Sequence, residues 1–406
     1  MPKSSPILRA RRQRVHVLRI LIVALFVLLI DYTRVHHELS HPGSSRSEPS
    51  TTAKTNTDRI FIASTHWNNA AILRSHWNAA ILNLTRALGP ERVFVSVYES
   101  GSWDDSKAAL RELDAELEQR GIPRRIVLDK TTHEDEISRP PAGTGEGWVD
   151  TPRGRRELRR IPFLSRQRNL SLQPLERLEQ RFDRILFLND VVFTNEDFFE
   201  LFATNNGEYA AACALDFAHP PLFYDTFALR DSEGHEAVMQ TWPYFRGRQS
   251  REALQRGEDV PVASCWNGMV IMDAAPFYDE AHPLRFRGIA DSLATRHVEG
   301  SECCLIHADN PVSAQKGVWL NPRVRVGYSG KAYEAVQNQQ REGSYSRVWE
   351  NRLRRWFTTD RIKVWRVMQR VRAWEAEDPT GSRGENGEFC LINEMQVIVA
   401  NGWAHV

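Results

Sequence analysis

Short apolar runs that alternate with amphipathic stretches constrain this chain more than any other feature. Residues 59–63 (RIFIA), 93–98 (VFVSVY), 124–128 and 184–188 (RILFL) have strand length, and residues 209–215 and 268–273 are further strand candidates. Between them, residues 68–88 carry Ala71, Ile72, Trp77, Ile81, Leu82 and Leu88 at spacings that suit a helix packed on one side. Residues 105–121 predict an amphipathic helix, with Asp105 or Ser106 as cap and Gly121 as stop, and residues 167–180 predict another. Strands alternating with helices predict an α/β fold with a Rossmann-like, mostly parallel sheet and helices on both faces. In such sheets ligands sit beyond the carboxyl ends of the strands, so the residues just after each strand are where chemistry is expected.

The chain ahead of the first strand reads as a membrane address. Residues 20–30 (ILIVALFVLLI) are uncharged and apolar, and residues 15–35 reach the roughly 20 positions a spanning helix needs, with Arg19 and Asp31 towards its ends. Residues 1–20 hold Lys3, Arg9, Arg11, Arg12, Arg14 and Arg19 and no acid, so the formal charge of +1 leaves about −5 for the remainder. A basic flank stays cytosolic, which sends the body to the lumen of the secretory pathway. A cleaved signal peptide is the alternative, but no small-x-small cleavage site follows Ile30. Residues 40–57 are rich in Ser, Thr and Pro and predict a flexible stem. The expected order is therefore a tail (1–14), a signal anchor (15–35), a stem (36–58) and one lumenal catalytic domain (59–406), of which residues 330–406 form a helical extension. The near-neutral, mildly acidic body gives no electrostatic reason to expect a nucleic-acid partner.

None of the five cysteines (Cys213, Cys265, Cys303, Cys304, Cys390) forms a C-x-x-C pair, which argues against a zinc ribbon. In a lumenal body one or two disulfides and a leftover thiol are possible, or the cysteines are small buried apolar residues. Asn83-Leu84-Thr85 and Asn169-Leu170-Ser171 are formal glycosylation sequons.

At the predicted strand ends stand Ser64-Thr65-His66-Trp67-Asn68, then residues 99–105 (ESGSWDD), then Asn189-Asp190. Asp190 closes an apolar strand where a carboxylate can grip Mn²⁺ or Mg²⁺, hard cations that prefer oxygen and neutralise a diphosphate leaving group. The alternative is an Asx turn closing the strand. Arg166 and Arg168 are expected to open a helix, where guanidinium and free backbone N–H groups both favour a diphosphate; the other arginines of residues 152–168 read as surface. Trp266 and Asn267 suit a sugar wall of indole face and amide, although Trp266 equally suits a core anchor. Glu302 falls at a helix N-terminus, as a dipole partner or as a catalytic group.

Residues 98–105 (YESGSWDD), 109–114 (ALRELD), 166–170 (RQRNL), 187–191 (FLNDV), 265–268 (CWNG) and 301–304 (SECC) together resemble the motifs of the fungal capsule-associated α-1,3-mannosyltransferases, glycosyltransferase family 69. The resemblance implies a GT-A-like fold, GDP-mannose as donor, Mn²⁺ or Mg²⁺, a mannose-containing acceptor and residence in the Golgi membrane. It places Asp190 at the metal, and Glu99, Asp105, Arg166, Arg168 and Asn169 around the nucleotide, where the strand-end residues Ser64 and Ser100 are also expected. Trp266, Asn267 and Glu302 fall near the reacting sugars. Asn189 departs from the usual two-acid pattern and leaves the second metal ligand unassigned. An α-linked donor giving an α-linked product requires retention, by a carboxylate nucleophile or by front-face attack. The rival readings are a transferase for UDP-xylose or UDP-glucose and a non-catalytic glycan-binding protein.

Overall fold

The structure, a computed structural model, describes residues 6–40, 57–140, 145–338 and 344–406. Its central sheet has ten strands: β1 (Ile60–His66), β2 (Val93–Glu99), β3 (Arg124–Leu128), β4 (Arg184–Leu188), β5 (Ala211–His219), β6 (Leu222–Phe223), β7 (Arg230–Asp231), β8 (Val260–Ser264), β9 (Met269–Asp273) and β10 (Val318–Gly327). Their spatial order is β3-β2-β1-β4-β9-β5-β10-β8-β7, with β6 beside β5. Neighbours from β3 to β4 are parallel, as are β5 and β10, whereas β9 runs against both β4 and β5. Strands β6 and β8 are also reversed, so the sheet is mixed but mostly parallel, as expected.

Successive residues of each central strand point to opposite faces. Phe61 and Ala63 therefore share one buried cluster with Ile185 and Phe187, while Ile60 and Ile62 share the other with Leu186 and Leu188. Burying a side chain such as Phe61 is worth about 1.5–3 kcal/mol, which makes the register of β1 costly to shift. Ile81, Leu84 and Leu88 of helix Asn78–Leu88, with Ala109, Leu113 and Leu117 of helix Ser106–Gln119, cover the second face. Leu172 of helix Arg160–Leu172 and Ile306 of helix Glu302–Asp309 belong to the first.

Three predicted elements move. The helix expected at 167–180 spans Arg160–Leu172, because Pro162 sits in its first turn, where proline is tolerated; a 3₁₀ turn over Gln173–Glu176 holds Pro174. Arg166 and Arg168 are consequently mid-helix and do not open it. The run at 209–215 extends to His219, which carries Asp216 inside the strand. Strand β10 went unread because Asn321 and Pro322 interrupt its alternation of apolar residues.

The N-terminal segment is one helix, Pro6–Ser40, long and apolar enough to cross a membrane over Val15–His37. The expected stem is helical to Ser40, and its residues 41–56 lie outside the described ones. The C-terminal region is helical over Gly330–Asn338, Tyr345–Phe357 and Asp360–Ala376, then closes with a hairpin of Gln396–Val399 and Gly402–His405, so it is not purely helical. Val367, Val371 and Trp374 pack it against Leu293, Val298 and Leu305. Cysteine takes the first of the two readings: Cys213 is bonded to Cys265 and Cys304 to Cys390, with the Cys303 thiol left over and buried.

Candidate active site

Strand β4 delivers Asn189 and Asp190 to the carboxyl edge of the sheet. Asn189 is fixed from four directions: its backbone N–H donates to the Gly268 carbonyl (2.9 Å) and its carbonyl accepts from the Trp77 indole (3.1 Å). Its side-chain oxygen accepts from the Trp266 indole (3.0 Å), and its amide nitrogen donates to the Tyr328 hydroxyl (3.1 Å). The Tyr328 proton passes on to Asp216 Oδ2 (3.1 Å), and the Asn267 amide donates to Asp216 Oδ1 (2.9 Å). An indole can only donate, so the chain of donors has one direction, and it needs an amide at position 189. The residue that breaks the two-acid pattern is thus the clamp that ties Trp266 to Tyr328 and, through it, to Asp216.

Asp216 is fully buried, and its backbone neighbour in the pocket is Asp225, whose N–H donates to Asp216 Oδ1 (3.1 Å). Burial, with the Asp225 charge adding, pushes the Asp216 carboxyl up to about 7. Burial likewise raises Asp225, with Glu302 contributing, although the N–H groups of Phe227 and Ala228 hold its Oδ1 at 3.1 and 3.0 Å. Asp190 is raised by burial against an opposing hydrogen bond from Asn69. The Tyr328 hydroxyl is pushed well above its ordinary value, by burial and then by the charge of Asp216, to which it donates. The turn that brings Asn267 in is tight: its φ is +49°, and a Cβ on Gly268 (φ +80°) would meet Val191 at 3.0 Å and Val326 at 3.1 Å.

Beside these acids the Arg168 guanidinium lies 4.4 Å over the Trp266 ring, and its Nε donates to Glu302 Oε1 (3.0 Å). Glu302 is the first residue of its helix, behind the cap Ser301, and is buried. Trp266 is 2% exposed and packed by Phe187 and Phe286, so its indole serves as the core anchor and its face is taken by Arg168.

The remaining expected residues divide into two other places. Ser64 donates to the Leu188 carbonyl (2.7 Å) and pairs with His66 Nε2 (2.9 Å), bracing β1 against the end of β4; burial pushes His66 down to about 3, so it stays neutral. Glu99, fully buried, holds Lys107 at 3.1 Å, and the Ser100 N–H donates to the His66 carbonyl (2.9 Å). Ser102 and Ser106 accept the N–H groups of Asn68 and Asn69 (2.8 and 2.9 Å), so the YESGSWDD loop and the helix that follows it hold the turn after β1. Gly101 (φ +66°) is obligatory there, since a Cβ would lie 1.9 Å from the Thr131 carbonyl. Asp105 pairs with Arg74 (2.5 Å) at the surface, away from the buried acids.

Arg166 and Arg168 do not act together. Two positions apart on a helix, they face about 200° from each other. Arg166 pairs with Glu136 (2.6 Å) and, with Asn169, Arg285 and Arg287, lines a cavity of about 390 Å³ on the other side of the helix. The Asn169 amide is spent on Phe286, donating to its carbonyl (2.8 Å) and accepting its N–H (3.0 Å). Asp190, Glu302, Asn267 and Arg168 therefore share one site; Arg166 and Asn169 share another space.

Asp216, Asp225 and Tyr328 lie outside the residues that the sequence predicts for the site. Asp216 carried the same signal as Asp190, an acid directly after an apolar run. Tyr328 follows the unread β10, and Asp225 lies in a loop without periodicity.

Carboxylates, a buried Arg–Glu pair and hydroxyl- and amide-bearing side chains thus gather at one edge of an α/β sheet. More particularly, residues 59–309 match the family model described as cryptococcal mannosyltransferase 1, and the chain belongs to that family of glycosyltransferases. No curated protein matches the sequence. Among solved structures, it is similar to the mannosyltransferase PcManGT from Pyrobaculum calidifontis in complex with GDP-Man and Mn²⁺, at 11% identity over 88% of this chain and 84% of that one, TM-score 0.37. It is also similar to S. aureus TarS 1–349 (9% identity, 66% of this chain and 60% of that one, TM-score 0.35). A third is GalNAc-T7 with UDP, GalNAc and Mn²⁺ (8% identity, 66% and 43%, TM-score 0.37). Likenesses this remote assign no role to any residue.

Among the described residues no three His, Cys, Asp or Glu side chains form a ready-made metal cage. Asp190, and Asp216, whose oxygens already accept from Asn267, Asp225 and Tyr328, are the acids at this edge that could serve a divalent cation of the kind that takes one or two protein carboxylates and fills its sphere with phosphate oxygens and water. Asp190 and Asp216, both raised by burial, are the carboxyls that a cation would relieve.

Proposed function

We propose that this chain transfers mannose from GDP-mannose to a mannose-bearing acceptor, forming an α-1,3 linkage with retention, in the synthesis of a fungal surface or capsule glycan. The observation that carries the reading is the hydrogen-bonded chain Trp266–Asn189–Tyr328–Asp216, next to Asp190 and beside the Arg168–Glu302 pair, in a member of a mannosyltransferase family. The Val15–His37 helix supports a Golgi anchor with the body in the lumen. Asp190 and Asp216 would hold Mn²⁺ or Mg²⁺, which when bound offsets the charge developing on the departing diphosphate.

The chain's own residues supply positioning. Asn189 and Tyr328 keep Asp216 in place, and Asn267 orients it from the opposite side. Glu302, whose Oε1 is already taken by Arg168 at 3.0 Å, is a poor nucleophile, which favours front-face attack. In that step the acceptor O3 bonds to the donor C1 as the C1–phosphate bond breaks, and the O3 proton passes to the leaving phosphate oxygen. Glu302 and Arg168 stabilise the electron-poor sugar ring and the departing charge between them.

The test offers purified chain GDP-mannose, UDP-xylose and UDP-glucose, with α-mannobiose and each metal, and assigns the product linkage by NMR. GDP-mannose giving an α-1,3-mannoside is the expected result. A preferred UDP-sugar overturns the donor, and mannobiose binding without release of any nucleotide overturns the enzyme.

A further inference from the structure

We propose that the helical pair Tyr345–Phe357 and Asp360–Ala376 is a membrane-interface platform, which lays its apolar edge and its arginines onto the bilayer that the N-terminal helix crosses. The proposal rests on the anchor reading of that helix. Outside the anchor, eleven large apolar side chains are exposed among the described residues, and six of them fall within thirteen positions: Leu353, Trp356, Phe357, Ile362, Val364 and Trp365. Phe357 is 79% exposed and Trp356 62%, values out of keeping with a soluble surface but ordinary for side chains that sit among lipid headgroups.

Contact with the anchor fixes where this patch lies. Asp31, at the end of the apolar run, accepts from Arg352 (2.7 Å), from the Trp349 indole (3.0 Å) and from the Tyr345 hydroxyl (3.3 Å). Tyr32 meets Tyr345 edge-on at 5.1 Å, and Trp349 meets the exposed Trp356 at 6.2 Å. The apolar patch therefore begins one ring away from the point where the anchor leaves its hydrocarbon stretch. A carboxylate there, paired with arginine and ringed by Trp and Tyr, has the composition of a membrane–water boundary.

Charge points to the same occupant. Residues 345–376 carry nine Lys and Arg against three Asp and Glu. Arg355, whose hydrogen bond goes to the neutral Asn351 (2.9 Å), is pushed down to about 10 by burial and by the nearby Arg251, Arg352 and Arg246. Crowded arginines of one sign beside exposed tryptophans suit phosphate headgroups, with the long arginine stems lying along the acyl boundary.

The full-length chain in lipid nanodiscs tests this, with single cysteines introduced for an environment-sensitive fluorophore by Trp365→Cys, Phe199→Cys or Leu25→Cys. The probe at 365 should lose fluorescence to nitroxide placed at headgroup depth, more strongly in discs containing anionic lipid. The probe at 199 should be unaffected, and the one at 25 should be quenched by nitroxide deep in the acyl chains. Quenching at 25 with water-like emission at 365 overturns the platform and leaves the anchor standing. No deep quenching at 25 overturns the anchor itself. Blue-shifted emission at 365 without any lipid quenching overturns the proposal in favour of a protein cover, such as a second copy. GDP-mannose turnover by each labelled variant reports that it is folded.

Discussion

Replacing Asn189 by aspartate changes one nitrogen to oxygen and should destabilise the site in a pH-dependent way. The substituted side chain can still accept from Trp266, but it no longer donates to Tyr328. Tyr328 has one proton, now given to Asp216, so one buried acceptor loses its donor whichever way the hydroxyl turns. That alone costs about 1–3 kcal/mol. A third ionised group beside Asp190 and Asp216 adds repulsion of about 3–4 kcal/mol for a charge some 4–6 Å away at an effective dielectric near 20. The introduced carboxyl escapes both penalties by keeping its proton, because its O–H then replaces the lost amide donor. Its folded pKa is therefore raised above the unfolded value of about 3.9, and stability is retained at low pH and lost as pH rises through the raised value. Urea unfolding of the detergent-solubilised chain, metal-free, should show Asn189→Asp close to wild type at pH 4, near the unfolded pKa, and at least about 2 kcal/mol weaker at pH 8. Equal stability at pH 8, or an equal deficit at both, refutes the donor chain. Faster metal-dependent turnover than wild type refutes it differently, since position 189 would then be seeking an acid.

Four further outcomes are expected. Asp190→Ala should abolish transfer while unfolding cooperatively at a midpoint near wild type, as removing a buried, raised carboxyl relieves desolvation. Asp216 must ionise to serve a cation, so metal affinity by isothermal titration should rise with pH through about 7, and Asp216→Asn should flatten that rise; the protonated form's contribution to stability fades over the same interval. Glu302→Gln should cut kcat well beyond its effect on KM, whereas a purely structural helix-start residue would leave kcat unchanged. In a eukaryotic host, Asn83→Gln should remove a glycan detectable by a mass shift, because Asn83 is exposed. Asn169→Gln should not, because both ends of that amide are engaged by Phe286.

Much of the fold was legible because its physics is local. The runs 59–63, 93–98, 124–128 and 184–188 became β1 to β4 with shifts of at most a few residues, since buried parallel strands need continuous apolar sequence, while β3, half-buried at the sheet edge, keeps only Ile126–Leu128 apolar. The site was legible only where an acid followed such a run on a strand already recognised, as with Asp190. Roles on helix Arg160–Leu172 were not, because it begins seven residues before the predicted start at 167 and the facing of Arg166 against Arg168 depends on that register. Trp266 illustrates a different limit: buried indoles and sugar-stacking indoles are chemically identical in sequence, and only the guanidinium lying on its ring decides between them. Tyr328 is invisible without β10, whose hydrogen-bonded neighbour β5 lies about a hundred residues earlier.

The bond between Cys304 and Cys390 fixes how far this enzyme can be shortened. It straps the helix that begins with Glu302 to a segment 86 residues further along, and Tyr328, the keystone of the acid cluster, also lies past position 309, where the family match stops. A fragment trimmed to the recognisable region would keep every motif and lose the parts that hold Asp216 and Glu302 in register. The folded unit is thus longer than its signature, because residues past 309 hold both Cys304 and Asp216.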